Sequence, residues 1–155
     1  EKIMNSQVDP LKRLIKDHRD VSEYLKNLRE ILGFLDEEKA WSELTPIKNF
    51  FERNVVTHFK FEEEVVFPAI LSKCSTSESI KLILELQREH GSILKDLEAF
   101  QKMIPESAIP LDKEMCEKVS IVSRGIIDSI LPHASKEDDR LLPIMEKNRQ
   151  IFEQL

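Results

Sequence analysis

Apolar residues recur along this chain in steps of three and four. Leu11, Leu14, His18, Val21, Leu25, Leu28 and Leu32 form one such series, and Ile83, Leu86, His90, Ile93, Leu97, Phe100 and Ile104 form another. That spacing keeps the residues on one face of an α-helix as a heptad seam. In both series a single His stands where an apolar residue is due. Two further faces are Ile47, Phe51, Val55, His58, Glu62 and Val65, and Val119, Val122, Ile126, Ile130, His133, Glu137 and Leu141. Here a His and a Glu together interrupt the apolar run. The pattern predicts four amphipathic helices, each with a polar break in its inward face.

Local signals set the expected boundaries. Asp9-Pro10 is an N-cap followed by Pro at the first helical position, so the first helix runs from there to Gly33. Thr45-Pro46 gives the same signal for a second helix reaching about Val66, with a short extra turn over 36–43 before it and Pro68 bending or ending it. Ser75-Thr76-Ser77-Glu78 reads as a capping box that opens a third helix toward Ile104. Pro110 opens the fourth, which reaches Glu146 or beyond with interruptions at Pro132 and Pro143. Residues 1–8 read as a loosely held arm.

The two halves of the chain echo each other. His18 precedes His58 by 40 residues, and His90 precedes His133 by 43. Asp17-His18 is matched by Glu89-His90. His58 has Glu62 four residues on and Pro68 ten on, and His133 has Glu137 four on and Pro143 ten on. A helical hairpin used twice gives an all-α, antiparallel up-down four-helix bundle with a pseudo-twofold axis. That axis brings four imidazoles and two carboxylates together.

Composition narrows the function classes. The 155 residues fit one domain, spanning 1–155 with a core of about 10–148. With 23 basic against 29 acidic residues the net charge is −6, which argues against general binding of nucleic acid or an anionic membrane. No apolar run approaches the roughly 20 residues needed to span a bilayer. From Glu1 on, the sequence shows no signal-peptide pattern, as expected either of a cytoplasmic protein or of a domain excised from a longer chain. Cys74 and Cys116 have neither CxxC spacing nor a neighbouring His, so they read as reduced, packed thiols of a cytoplasmic protein. Trp41 and Tyr24 read as packing residues.

The chemistry follows from burial. A His and a Glu four residues apart lie about 40° apart around a helix, so both reach one interior point. Glu63, Glu64 and Asp139 fall off that face and are assigned to solvent or supporting roles, and Asp138 is the one substitute for Glu137. A buried, ionised carboxylate costs several kcal/mol unless something positive compensates it, and two near one point raise each other's pKa. No Lys or Arg occupies the four seams. A metal pair removes both problems, with His18, His58, Glu62, His90, His133 and Glu137 as its ligands. His18 with His58, and His90 with His133, are one possible partition. Imidazole with carboxylate suits iron, manganese or zinc, and no thiolate is offered for copper(I) or an iron–sulfur cluster. Structural zinc is the bland alternative, but it prefers four closed ligands per ion.

These segments resemble the hemerythrin family, in its His-His-Glu cation-binding branch. The likeness spans about 10–148 and rests on Lys16-Asp17-His18, His58 through Glu64 to Phe67-Pro68, Arg88-Glu89-His90, and Leu131-Pro132-His133 through Glu137-Asp138 to Leu142-Pro143. It implies a four-helix bundle with an oxo- or hydroxo-bridged pair of iron ions. One departure matters. The oxygen carriers of the family have a fifth His four residues from another on the third helix, whereas Leu86 and Leu94 stand there here. The four-His, two-Glu set is similar to the di-iron proteins that repair iron–sulfur clusters and to regulatory hemerythrin-like domains. The Cys-containing N-terminal segment usual in the repair proteins is not in this sequence.

The expected function is therefore a di-iron protein that senses or handles oxygen, nitric oxide or peroxide, passing its state to a protein partner. The alternative is an enzyme-like iron donor for cluster repair, or a reductase of nitric oxide or peroxide. Oxygen carriage or metal storage is the third. Pro132 has two readings: a tolerated kink, or a device that frees the Asp128 carbonyl and tilts His133 toward the metal.

Overall fold

In the computed structural model, residues 9–104 and 112–153 are described, and within them the chain is helical without a strand. Four long rods run antiparallel around one interior, first beside second, second beside third, third beside fourth and fourth back beside first. The first helix is Pro10–Ile31, ending in a 3-10 turn at Leu32–Phe34. The second covers 38–73. The third is Ser77–Met103, and the fourth covers 113–147. A short fifth helix, Arg149–Glu153, folds back on the bundle and buries Phe152. The arm 1–8 and the expected start at Pro110 lie outside the described residues.

The caps show why the helices begin where they do. Asp9 Oδ1 accepts the Leu11 N–H at 3.0 Å, while its other oxygen pairs with Arg149 at 3.0 Å and ties down the last helix. At the third helix the capping residue is Thr76. Its hydroxyl accepts the Ser79 N–H at 3.0 Å and the Ser79 hydroxyl accepts the Thr76 N–H at 2.7 Å, so the box sits one residue later than the Ser75–Glu78 reading. Asp112 caps the fourth helix through Met115 N–H.

The second helix departs most from expectation. It begins at Glu38 and passes through Thr45-Pro46 without a break. Ala40, Trp41 and Leu44 are buried upstream of the proline, and the Trp41 Nε1–H donates to the Leu35 carbonyl at 2.7 Å. Nor does the helix end at Pro68, or the fourth break at Pro132 or Pro143. All four mid-helix prolines lie on exposed faces. So do Ser42, Glu64, Asp128 and Asp139, four residues before them, and on an exposed helix face water can reach a carbonyl left without its N–H partner.

Wide π turns occur at Phe51–Val55, Glu62–Val66 and Glu137–Leu141. Each inserts one residue into the helical count. Beyond Glu62 it moves the buried position from Val65, the sequence expectation, to Val66, which is fully buried.

The core has two apolar blocks. Trp41, Leu44, Phe51, Phe100 and Val119 belong to one, and Leu14, Val66, Phe67, Ile70, Leu86 and Leu141 to the other. The four polar interruptions form a waist between them. His90, for example, is flanked on its helix by Leu86 of one block and Ile93 of the other. Among the described residues no helix is long and apolar enough to cross a membrane.

Candidate metal centre

All six residues singled out in the sequence converge in that waist. His58, Glu62, His90, His133 and Glu137 are buried, and the His18 side chain retains only 9% exposure. Both carboxylates are fully enclosed. Every imidazole presents Nε2 to the centre. Glu137 is within reach of all four: 2.8 Å from His18, 3.2 Å from His133, 3.5 Å from His58 and 4.0 Å from His90. Glu62 lies 2.9 Å from His90 Nε2 and 3.4 Å from His58 Nε2. Glu137 rather than Asp138 faces the interior.

The opposite nitrogen of each ring is equally ordered. His18 Nδ1–H donates to Asp138 at 2.7 Å, His58 to Asp17 at 2.8 Å, His90 to Glu63 at 2.9 Å and His133 to Glu89 at 2.7 Å. An ionised carboxylate only accepts, so it favours a proton on Nδ1, the tautomer in which Nε2 can ligate a cation. Each link crosses to the next rod. The first helix holds the second, the second the third, the third the fourth, and the fourth the first. Asp17 and Glu89 each precede a central His; Glu63 and Asp138 each follow a central Glu. Read from the sequence, Glu63 takes a solvent or supporting role, Asp138 is only a substitute for Glu137, and Asp17 and Glu89 are only part of the repeat; adjacency to a central residue is the signal that marks all four.

Aromatic rings close one side. Phe59 stacks on His90 with centroids 4.0 Å apart, and Phe67 lies 5.7 Å away, nearly parallel. Burial, followed by the neighbouring His133, pushes His90 down to about 3, so its imidazole is neutral. The two carboxylates are pushed apart. Burial and then the charge of Glu137 raise Glu62 well above the usual carboxylate range. Burial also disfavours the Glu137 anion, but His133, His18 and His58 outweigh it and hold that carboxyl well below its ordinary value.

Donor chemistry tests the fit to a cation. Both oxygens of Glu62, Oε2 of Glu137, and Nε2 of His90 and His133 are buried without an aligned hydrogen bond. Where those facing nitrogen and oxygen atoms have no proton between them, lone pair meets lone pair, at a cost of roughly 1–3 kcal/mol per unsatisfied group. A cation converts that cost into ligation. Donor atoms fall into two groups, His18, His58, Glu62 and Glu137, and Glu62, His90, His133 and Glu137, each within 4.8 Å of one another. The hemerythrin HHE cation binding domain matches residues 9–145 of this sequence. The chain belongs to that family. No curated protein and no solved structure gives a match. Membership in the hemerythrin HHE family makes this a cation-binding bundle.

Other sequence candidates fall elsewhere. Cys74 and Cys116 pack half-buried against opposite apolar blocks. Tyr24 stacks on Phe50 at 3.9 Å, as a packing residue would. Pro132 leaves its helix unbroken, and His133 one position later faces the centre.

Proposed function

We propose that the centre holds two iron ions, with His18 and His58 on one, His90 and His133 on the other, and Glu62 and Glu137 shared between them. The observation that carries this is the pair of four-donor groups with those two carboxylates in common. The four inward imidazoles divide two and two between the donor groups, which favours two ions over one, and two ions would leave no buried carboxylate oxygen without a cation. Closed structural zinc is disfavoured because it takes four ligands of its own, often Cys. Imidazole with carboxylate is the donor set of non-haem iron.

The role that follows is a di-iron protein that senses or handles oxygen, nitric oxide or peroxide. Bound iron supplies one-electron redox chemistry and open coordination positions for a small ligand. The residues do the rest. Asp17, Glu63, Glu89 and Asp138 fix the tautomer and aim of the four rings. Phe59 and Phe67 stack against the His90 ring and hold its orientation. Because each helix carries a ligand and a support for its neighbour, a change at the centre reaches all four rods and from them a protein partner.

Elemental analysis after anaerobic iron reconstitution tests the assignment. Two irons per chain are expected, and turnover with peroxide or nitric oxide then separates an enzyme from a sensor. One ion per chain, or zinc alone, defeats the di-iron reading.

A further inference from the structure

We infer that Lys136 makes the two halves of the centre electronically unequal, giving the ion held by His90 and His133 the higher reduction potential. This rests on the iron-pair reading above. The four outer carboxylates look alike in sequence, but their own partners differ. Asp138 is about half exposed, at 49%, and Glu63 is 36% exposed; neither is paired with a cation among the described residues. Asp17 has Arg13 Nε only at 3.9 Å, a distant approach. Glu63 Oε1 accepts from the neutral Gln87 Nε2 at 3.0 Å, whereas Glu89 alone is hydrogen-bonded to a cation among the described residues. Its Oε1 accepts from His133 Nδ1 at 2.7 Å, and its Oε2 takes a short hydrogen bond from Lys136 Nζ. Lys136 is anchored from behind by Glu85 at 3.4 Å, which also meets Arg140 at 3.5 Å.

The consequence is electrostatic. A carboxylate on the outer N–H of a ligating imidazole pushes electron density onto the ring and favours the more oxidised ion. An ammonium on the far oxygen of the same carboxylate draws that density back and adds its own positive charge. Lys136 is only 28% exposed, and it shares a cleft of about 250 Å³ with Glu89, His133, Ile93 and Pro132. Solvent screening is correspondingly weaker than at an open surface. On the His18 and His58 side the nearest cation is Arg13, which stays 3.9 Å from Asp17 Oδ2 and sits over the Phe61 ring, so the pseudo-symmetric donor set is biased toward the half whose carboxylate takes a direct ammonium hydrogen bond.

The test is a spectroelectrochemical titration of iron-loaded wild type, Lys136→Met, Lys136→Arg and Lys118→Met. Lys118 is an exposed lysine on the same helix, paired among the described residues only with Glu114, and controls for net charge. Outer-sphere partners of metal-binding His typically change affinity or activity 10–100-fold. Lys136→Met is therefore expected to lower one of the two midpoints by at least about tenfold in its ferric-to-ferrous equilibrium, roughly 59 mV for one electron. The other midpoint should hold, and Lys136→Arg should restore the wild-type values. If Lys136 only clamps the third helix to the fourth, its loss loosens Glu89 and His133, and the midpoint rises or an ion is lost. That sign overturns the inference, as do equal shifts at both ions or no shift. Wild type with fewer than two irons overturns the iron-pair reading as well, whereas wild type with two irons and an unresponsive Lys136→Met overturns this inference alone.

Discussion

Replacing Glu62 by Met should make the metal-free protein more stable and the metal-loaded protein less stable. Glu62 is fully buried, and neither carboxylate oxygen has an aligned hydrogen bond. Removing one unsatisfied buried polar group recovers on the order of 1–3 kcal/mol, and hydrophobic replacement of buried ionic groups is often stabilising by a similar amount. Met has a comparable helix propensity, and the two apolar blocks on either side of the waist can accept it. For a chain of this length, about 1–3 kcal/mol corresponds to roughly 2–12 °C in Tm. With metal the sign reverses. Free iron a hundredfold above Kd contributes about 2.7 kcal/mol to wild type by mass action, and Glu62→Met forfeits most of it because both donor groups share Glu62. Thermal melts followed at 222 nm, with chelator and with anaerobic ferrous iron, read both effects in one experiment. The order of the two melting temperatures should invert between conditions. A Glu62→Met protein that is several kcal/mol less stable without metal would show that the carboxylate holds the bundle together by itself, and the argument from lone pairs would be wrong.

Two other outcomes follow from the same geometry. Glu63→Ala should still bind two irons at saturation but with affinity about tenfold weaker, because it removes only the support of His90, whereas Glu137→Ala should fail to load at any practical concentration; iron titration with a competing chelator distinguishes them. Leu86 and Leu94 leave the site one His short of the oxygen carriers, so reduced protein should oxidise irreversibly in oxygen, and recovery of the reduced spectrum under vacuum over repeated cycles would refute that expectation.

The helical faces were readable because a heptad seam survives a single polar substitution. His18 and His90 each stood alone among apolar residues, and His58 and His133 each came with a Glu four residues on, all where a buried position was due. The helix starts were less readable. Thr45-Pro46 has the chemistry of a cap, yet packing of Trp41 and Leu44 upstream extends the helix over it, and an exposed proline costs little when water meets the orphaned carbonyl. The π turns left only an indirect trace. Two of the three begin at the inward Glu, and in both a proline follows six residues later, at Pro68 and Pro143. A strict α-helical count carried past Glu62 selects Val65 and misses Val66. The outer carboxylates depend on which helices are neighbours, which no single-helix pattern contains. Adjacency to a central residue marked them, but only the packed bundle shows that each acts across to the next rod.

The ring of carboxylate links has a consequence for how such a centre can be assembled. Exchanging the first hairpin with the second maps every link onto another: Asp17 with His58 onto Glu89 with His133, and Glu63 with His90 onto Asp138 with His18. A hairpin alone is therefore incomplete in a complementary way. The first retains one link internally, keeps a spare carboxylate in Glu63, and lacks a partner for His18. Two identical hairpins meeting face to face would each supply what the other lacks, closing the same ring. Two copies of a hairpin of half this length would close the full set of links, and within a single chain one hairpin can carry Lys136 without imposing the same charge on the other.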